Sequence, residues 1–287
     1  MLLLDRRTVL KAGAAAALAP SLGHAAPTDI DVFNGSPFAE SVASTLILGE
    51  ESAAVIDAQF TKADATQLAD QIAATGKRLE TIFITHIHPD HIMGTSVLST
   101  RFPDAQVVAH PEVAALLEEV GQDLFDLRRD LAGYSADDPW SPPAPLDGPL
   151  TLEDAEFDVL APMVGDTGLV TPVHMPQFDA LVASDVVYSG APVWVTETLD
   201  RATVAAWLGS LDRLEALGVG RVIPGHVGEI AFEGTAIDYT RGFITRWLEA
   251  LDVSNDRASL AAAVREIVGV DPEHFFMQFA IAAAYPT

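Results

Sequence analysis

The chain has no cysteine. This excludes disulfides, thiolate metal ligands and thiol redox chemistry together, so stability must come from packing and from any bound metal. Lysine is almost as scarce. Lys11, Lys62 and Lys77 are the only three among 16 basic residues, against 41 acidic ones, and the formal charge is −25. So acidic a surface repels phosphate, which argues against nucleic acid as a partner. Past the first 26 residues no apolar run reaches the roughly 18 residues a transmembrane helix needs, so no membrane span is expected in the mature protein. With 49% of its residues hydrophobic, a chain of 287 residues can bury a full core and reads as one large domain.

The N-terminus departs from that acidic average. Asp5-Arg6-Arg7-Thr8-Val9-Leu10-Lys11 precedes a mildly apolar stretch from Ala12 to Pro20, and small residues at Gly23, Ala25 and Ala26 suit cleavage. The pattern resembles a twin-arginine export signal. Residues 1–26 are therefore read as a signal peptide, residues 27–287 as a single domain, and the mature protein as periplasmic in a bacterium. His24 then belongs to processing.

Periodicity predicts a run of short strands at 30–33, 44–48 and 53–56, a helix over 62–74, and a strand, Thr81-Ile82-Phe83-Ile84. Helix 92–100, strand 105–109 and a helix from Pro111 to Val120 follow. The Gly, Asp and Pro-rich stretch 132–149 fits neither period and is read as a loop over the site. Strands at 155–160 and 180–184, a helix at 199–217, a short strand at 221–224 and two closing helices complete the pattern.

The chemistry is concentrated in Thr85-His86-Ile87-His88-Pro89-Asp90-His91. Imidazole nitrogens and carboxylate oxygens are ligands for borderline cations such as Zn²⁺. In an extended segment residues two apart face the same way, so His86 and His88 can share one ion. The turn after Pro89 lets Asp90 and His91 face a second.

With this motif at a strand end, Asp185 after Leu181-Val182-Ala183-Ser184, and His226 in Val222-Ile223-Pro224-Gly225-His226, the chain resembles the metallo-β-lactamase superfamily over about residues 29–250. The resemblance implies an α/β fold, an αββα sandwich. Two mixed β-sheets pack face to face with helices outside and the metal site at one edge. It also implies that His86 and His88 bind a first metal, Asp90, His91 and His226 a second, and that Asp185 bridges them. The family usually supplies a third histidine to the first metal from a Gly-His step, where this chain has Val164-Gly165-Asp166. Asp166 and His174 are the available substitutes. If a hairpin turns at residues 176–179, Asp185 faces Val170 and His174 faces Leu181, four residues or about 14 Å nearer the turn. Asp166 is therefore taken as the replacement and His174 as a strand residue. Two Zn²⁺ ions are expected, the extra carboxylate tilting the first site toward Fe²⁺ or Mn²⁺.

Such a pair of ions makes a metal-bound hydroxide the expected nucleophile, with Asp90 placed to pass a proton to the leaving group. Tyr188, three residues after Asp185, is similar in spacing to the tyrosine that orients the ester in acyl-homoserine lactone lactonases of this superfamily. His110 is read as structural or at the rim. The expected activity is hydrolysis of an ester, lactone or similar carbonyl in a small-molecule substrate. A carboxylate in place of His88 would have pointed to a di-iron redox enzyme. The lack of cysteine excludes the Cys-containing β-lactamase class. The alternatives are a β-lactamase-like amide hydrolase and a degenerate member that binds metal or ligand without turnover. Loops at 121–149 and 191–200 are expected to set the substrate, with Phe125, Trp140, Phe178 and Trp194 as candidates for an apolar pocket.

Overall fold

The computed structural model describes residues 29–39 and 41–286; the expected leader at residues 1–26 lies outside them. Strands β1 (Asp29–Asn34), β2 (Ala43–Leu48) and β3 (Ser52–Ile56) form an antiparallel meander, and helix α1 (Lys62–Ala74) leads into β4 (Arg78–Ile84). Two short helices, α2 (Pro89–Ile92) and α3 (Thr95–Arg101), precede β5 (Gln106–Ala109), α4 (Pro111–Arg128) and β6 (Ala144–Pro145). These six strands make one mixed sheet in the order β1-β2-β3-β4-β5-β6, parallel from β3 onward. The second sheet holds β7 (Leu150–Leu152), β8 (Ala155–Val159), β9 (Val173–Met175), β10 (Ala180–Ser189) and, after helix α5 (Arg201–Glu215), β11 (Arg221–Val227). Helices α6 (Ala236–Val253), α7 (Arg257–Ala263) and α8 (Phe275–Ala284) close the chain.

The central strands are buried on both faces, and their alternation divides the interior into three layers. Ala54 and Ile56 of β3 and Phe83 of β4 meet Phe157, Val173 and Val182 between the sheets. Ala53 and Val55 of β3, with Ile82 and Ile84 of β4, instead pack outward beneath α1, α3 and α4. Leu181 and Ala183 of β10 face outward on the other side, beneath Trp207 of α5 and Phe243 and Trp247 of α6. The result is the expected αββα sandwich.

Local differences from the sequence reading have local causes. The expected helix 92–100 breaks at Gly94, whose amide bonds to Gln59 O and where a Cβ would sit 1.6 Å from Ala58 O. Strand β10 runs five residues past its expected end, so Asp185 lies inside a strand, at a bulge. Its parallel register with β11 skips from Ser184↔Pro224 to Tyr188↔His226, and Ser184 has a φ of 46°. The bulge re-aims the intervening side chains. Three helices, with a π-helical turn at Val264–Val268, end the chain where two were expected.

The stretch 132–149 does not cover the site. Its Asp138 carboxylate grips Lys62 Nζ of α1 at 2.7 Å, and the Trp140 ring lies 6.4 Å from that of Phe125. Phe125 belongs to α4 and Trp140 packs against that helix at Gly121, and Phe178 stacks on Phe157 at the other end of the sandwich. Of the four aromatic candidates, Trp194 alone reaches the cleft above the motif. His110 caps the N-terminus of α4, its ring accepting the Glu112 amide, which is a structural role.

Candidate metal centre

The motif sits at the carboxyl end of β4, where the parallel strands stop and backbone is free to turn. His86 and His91 are fully buried, and His88 is half-buried with a side chain 15% exposed. Pro89 starts α2, and the turn groups Asp90 and His91 with His226, although the His91 ring stays 4.2 Å from that of His86. From the second sheet come Asp185 at the β10 bulge and His226 near the end of β11. A bridge between Val42 and His226 ties that end to the first sheet.

Two clusters result. His86, His88, Asp166 and Asp185 form one, and Asp90, His91 and His226 the other, with potential ligand atoms in each within 4.8 Å of one another. Asp185 Oδ1 lies 3.2 Å from His91 Nε2, while its Oδ2 lies 3.2 Å from His226 Nε2 and 3.7 Å from His86 Nε2. Asp90 Oδ2 is 3.3 Å from His226 Nε2. Asp185 thus sits between the clusters.

The hairpin register places the two candidate residues, His174 and Asp166, at opposite ends. Leu181 pairs with His174, as expected, which leaves His174 beside Asp158 away from the centre. Asp166 lies beyond the other end of the hairpin, where its amide bonds to Asp185 O and its Oδ2 lies 3.0 Å from His88 Nδ1. Gly165 permits this closeness, since a Cβ there would fall 2.6 Å from Asp185 O.

Hydrogen bonds behind the clusters set the ring tautomers. His91 Nδ1 lies 2.8 Å from Asp57 Oδ2, so Nδ1 donates and the Nε2 lone pair faces Asp185. Thr85 Oγ1 is within 3.0 Å of both Asp57 oxygens and 2.9 Å from His86 Nδ1. The hydroxyl gives its proton to the carboxylate and accepts from His86, which again leaves Nε2 facing inward. On the other side His88 Nε2 meets Glu197 Oε1 at 3.2 Å, and Glu197 is fixed in turn by the Thr167 hydroxyl. The Tyr188 hydroxyl lies 2.8 Å from Asp166 Oδ2 and 2.9 Å from Asp185 Oδ2, and its ring stacks on His226.

Asp57 and Glu197 went unnoticed in the sequence. The signal for Asp57 was a carboxylate ending an apolar strand, Ala53-Ala54-Val55-Ile56, where it is buried at a φ of 63°. Asp57→Asn is expected to keep the fold but to present an amide NH₂ or a weaker acceptor to His91 and Thr85. Metal affinity should fall by about 10 to 100-fold, measured by competition with a chromogenic chelator; parental affinity would remove Asp57 from the support of the site.

The donor set fits cations. His86 Nε2, His91 Nε2, Asp166 Oδ1 and Asp185 Oδ1 are all buried without a hydrogen-bond partner. Lone pairs of His91 Nε2 and Asp185 Oδ1 facing each other at 3.2 Å repel unless a proton or cation lies near both. The protonation pattern agrees. Burial, helped by Asp185 and partly offset by His88, pushes the Asp166 carboxyl up to about 7. Burial opposes charge on His226, yet Asp185 and Asp90 outweigh it and lift the imidazole to about 10. Burial also works against the Asp185 carboxylate, but His91, His226 and His86 hold it well below the usual range. The protein thus binds protons where a cation would displace them.

Comparison with known proteins agrees with this geometry. The family model described as the metallo-beta-lactamase superfamily matches residues 38–226. Hydroxyacylglutathione hydrolase of Stenotrophomonas maltophilia (strain R551-3) is 35% identical over 79 residues, 27% of this chain. That match spans 30% of the relative's own length. A metallo-β-lactamase family protein from Thermus thermophilus is 20% identical, with a TM-score of 0.59 over 89% of this chain and 90% of that one. A β-lactamase domain protein from Burkholderia ambifaria is 18% identical, with a TM-score of 0.60 over 94% and 88%. At these identities the two structures establish a common fold.

Proposed function

Given that the chain belongs to the metallo-β-lactamase superfamily, we propose that it is a dinuclear metallo-hydrolase acting on an ester, lactone or thioester. The observation that carries this reading is the pair of His/Asp clusters sharing Asp185 at the floor of one cleft. His86, His88 and Asp166 would hold the first cation, Asp90, His91 and His226 the second, with Asp185 common to both. Zinc suits these nitrogen and oxygen donors, and the Asp166 carboxylate hardens the first site toward Fe²⁺ or Mn²⁺. Cations there would supply Lewis acidity toward a carbonyl and ionise water near neutral pH.

The chain's own groups do the rest. Asp90 has a side chain 23% exposed at the cleft, where it can carry a proton to the leaving group. Tyr188 is assigned a positioning role, because its hydroxyl is engaged by Asp166 and Asp185 and its ring is buried on His226. Tyr188 also lines the cleft, so the ester-orienting role expected from spacing stands beside this one. A thioester is included because the partial match is to a thioester hydrolase. Export to the periplasm is also proposed, on the Arg6-Arg7 pair and the apolar stretch after it; cell fractionation of the full chain tests it. No helix among the described residues is long and apolar enough to cross a membrane.

The test combines elemental analysis of the purified protein with a panel of esters, lactones, thioesters and a chromogenic β-lactam. About two metals per chain are expected, with carbonyl-ester turnover lost to chelator and restored by added metal. Metal binding without turnover of any substrate would favour the degenerate reading, and preference for the β-lactam would replace the ester assignment.

A further inference from the structure

The floor of the cleft is polar, but its walls are not. It encloses about 410 Å³, lined above the clusters by residues that include Phe38, Leu131, Trp194, Phe275 and Phe279. Helix α8 brings the aromatic wall right up to the metal clusters. Phe276 lies 6.0 Å from the His226 ring and 5.0 Å from Trp194, and Trp194 lies 6.2 Å from His88. Phe38, Leu131, Phe275 and Phe279 are exposed by 62, 54, 53 and 44%. Large apolar side chains left in water around the mouth of a cleft mark a surface that closes on an apolar ligand.

One wall residue breaks the pattern. Arg128, in the last turn of α4, is the single lysine or arginine lining the cleft among the described residues. Acidic residues outnumber basic ones 41 to 16 in this chain, so carboxylates are easily found. The adjacent Arg129 pairs with Asp126 at 3.0 Å and Asp130 at 3.4 Å, and Arg241 pairs with Asp212 and Glu215. The half-buried Arg128 guanidinium makes no hydrogen bond or ion pair among the described residues. A guanidinium has five donors in a planar fork suited to a carboxylate, sulfonate or phosphate, and apolar walls strengthen such a contact by thinning the water around it.

We infer that the cleft takes an amphipathic anion, its apolar body against the aromatic face of α8 and its anionic group on Arg128. Resting on the hydrolase reading, the inference makes the substrate an ester, lactone or thioester with an apolar body and a separate negative charge. Arg128 and the aromatic wall are then specificity determinants, remote from the bond that is cut.

The test reads binding without turnover. Metal-loaded protein is titrated calorimetrically, at fixed ionic strength, with 4-phenylbutane-1-sulfonate and with 4-phenylbutan-1-ol, a pair sharing one apolar body. The sulfonate should bind about tenfold more tightly or better. Arg128→Gln should bring the two affinities close to equal, Arg128→Lys should keep part of the preference, and Phe275→Ala/Phe279→Ala should weaken both ligands. An alcohol that binds as well as the sulfonate in the parent, or a preference that survives Arg128→Gln, overturns the inference. Failure of the hydrolase reading is seen separately, as an ester panel without turnover, and leaves the titration result intact. If turnover is found, 4-nitrophenyl hydrogen adipate should be preferred to 4-nitrophenyl hexanoate, and Arg128→Gln should abolish that preference.

Discussion

Asp185→Ala is expected to strip the protein of both metals and to lower hydrolysis by at least about 100-fold, since even supporting residues behind a ligand cost 10 to 100-fold. Asp185 belongs to the cluster of His86, His88 and Asp166, with Oδ2 3.7 Å from His86 Nε2, and it also reaches the other cluster, with one oxygen 3.2 Å from His91 Nε2 and the other 3.2 Å from His226 Nε2. Removing it leaves each cluster short of an anionic donor. It also takes from His91 and His226 the carboxylate that most favours their protonation, so both should bind protons less readily as well as less metal. The sandwich should survive, because the strands around residue 185 are held by Val182, Val186 and Val187 in the cores on either side. The checks are metal content per chain, residual turnover at saturating added zinc, and the far-ultraviolet dichroism spectrum. A folded variant that retains two metals would refute the bridging role and with it the dinuclear reading.

The parts of this centre that the sequence made legible are those fixed by local geometry. Alternation placed His86 beside His88 and the Pro89 turn grouped Asp90 and His91 with His226, because strand and helix-start geometry act over a few residues. The choice of Asp166 over His174 also followed from short-range geometry, since a hairpin turn fixes the register of everything paired beyond it; the Leu181↔His174 pair lies where that register puts it. Helix α1 ends where its periodicity stops. The unread features depend on contacts between distant segments. Asp57 reaches His91 across 34 positions and Glu197 reaches His88 across 109, and no period connects such pairs. The β10 bulge arises where Pro224 lies in the partner strand, a residue that cannot donate to the ladder, so the strand could be read but not its kink. The aromatic wall was misplaced for a related reason. Phe275, Phe276 and Phe279 have the spacing of an ordinary core stripe, and only the packing of α8 beside Trp194 turns that stripe toward the cleft.

Gly225→Ala should be nearly as damaging as loss of a ligand, although residue 225 carries no ligand atom. A Cβ built there would sit 1.7 Å from Asp185 Oδ1, 2.8 Å from Asp185 Cγ and 2.8 Å from the Ser184 carbonyl carbon. The carboxylate cannot simply swing aside, because Tyr188 engages its other oxygen and three imidazoles surround it. Either Asp185 leaves its position between the clusters or β10 and β11 separate at the bulge. Both movements misplace the carboxylate proposed as the shared ligand, so metal affinity and turnover should fall by about 10 to 100-fold, and stability by roughly 1 to 3 kcal/mol for the overpacking. Gly209→Ala is the matched control. The same methyl group added inside α5 meets nothing within 4 Å, and replacing a helical glycine should raise stability by about 0.5–1 kcal/mol with metal content unchanged. Thermal unfolding and metal content of the two variants therefore move in different ways from one chemical change. Two metals and parental turnover in Gly225→Ala would mean that the approach of β11 to Asp185 is not what holds the carboxylate between the clusters.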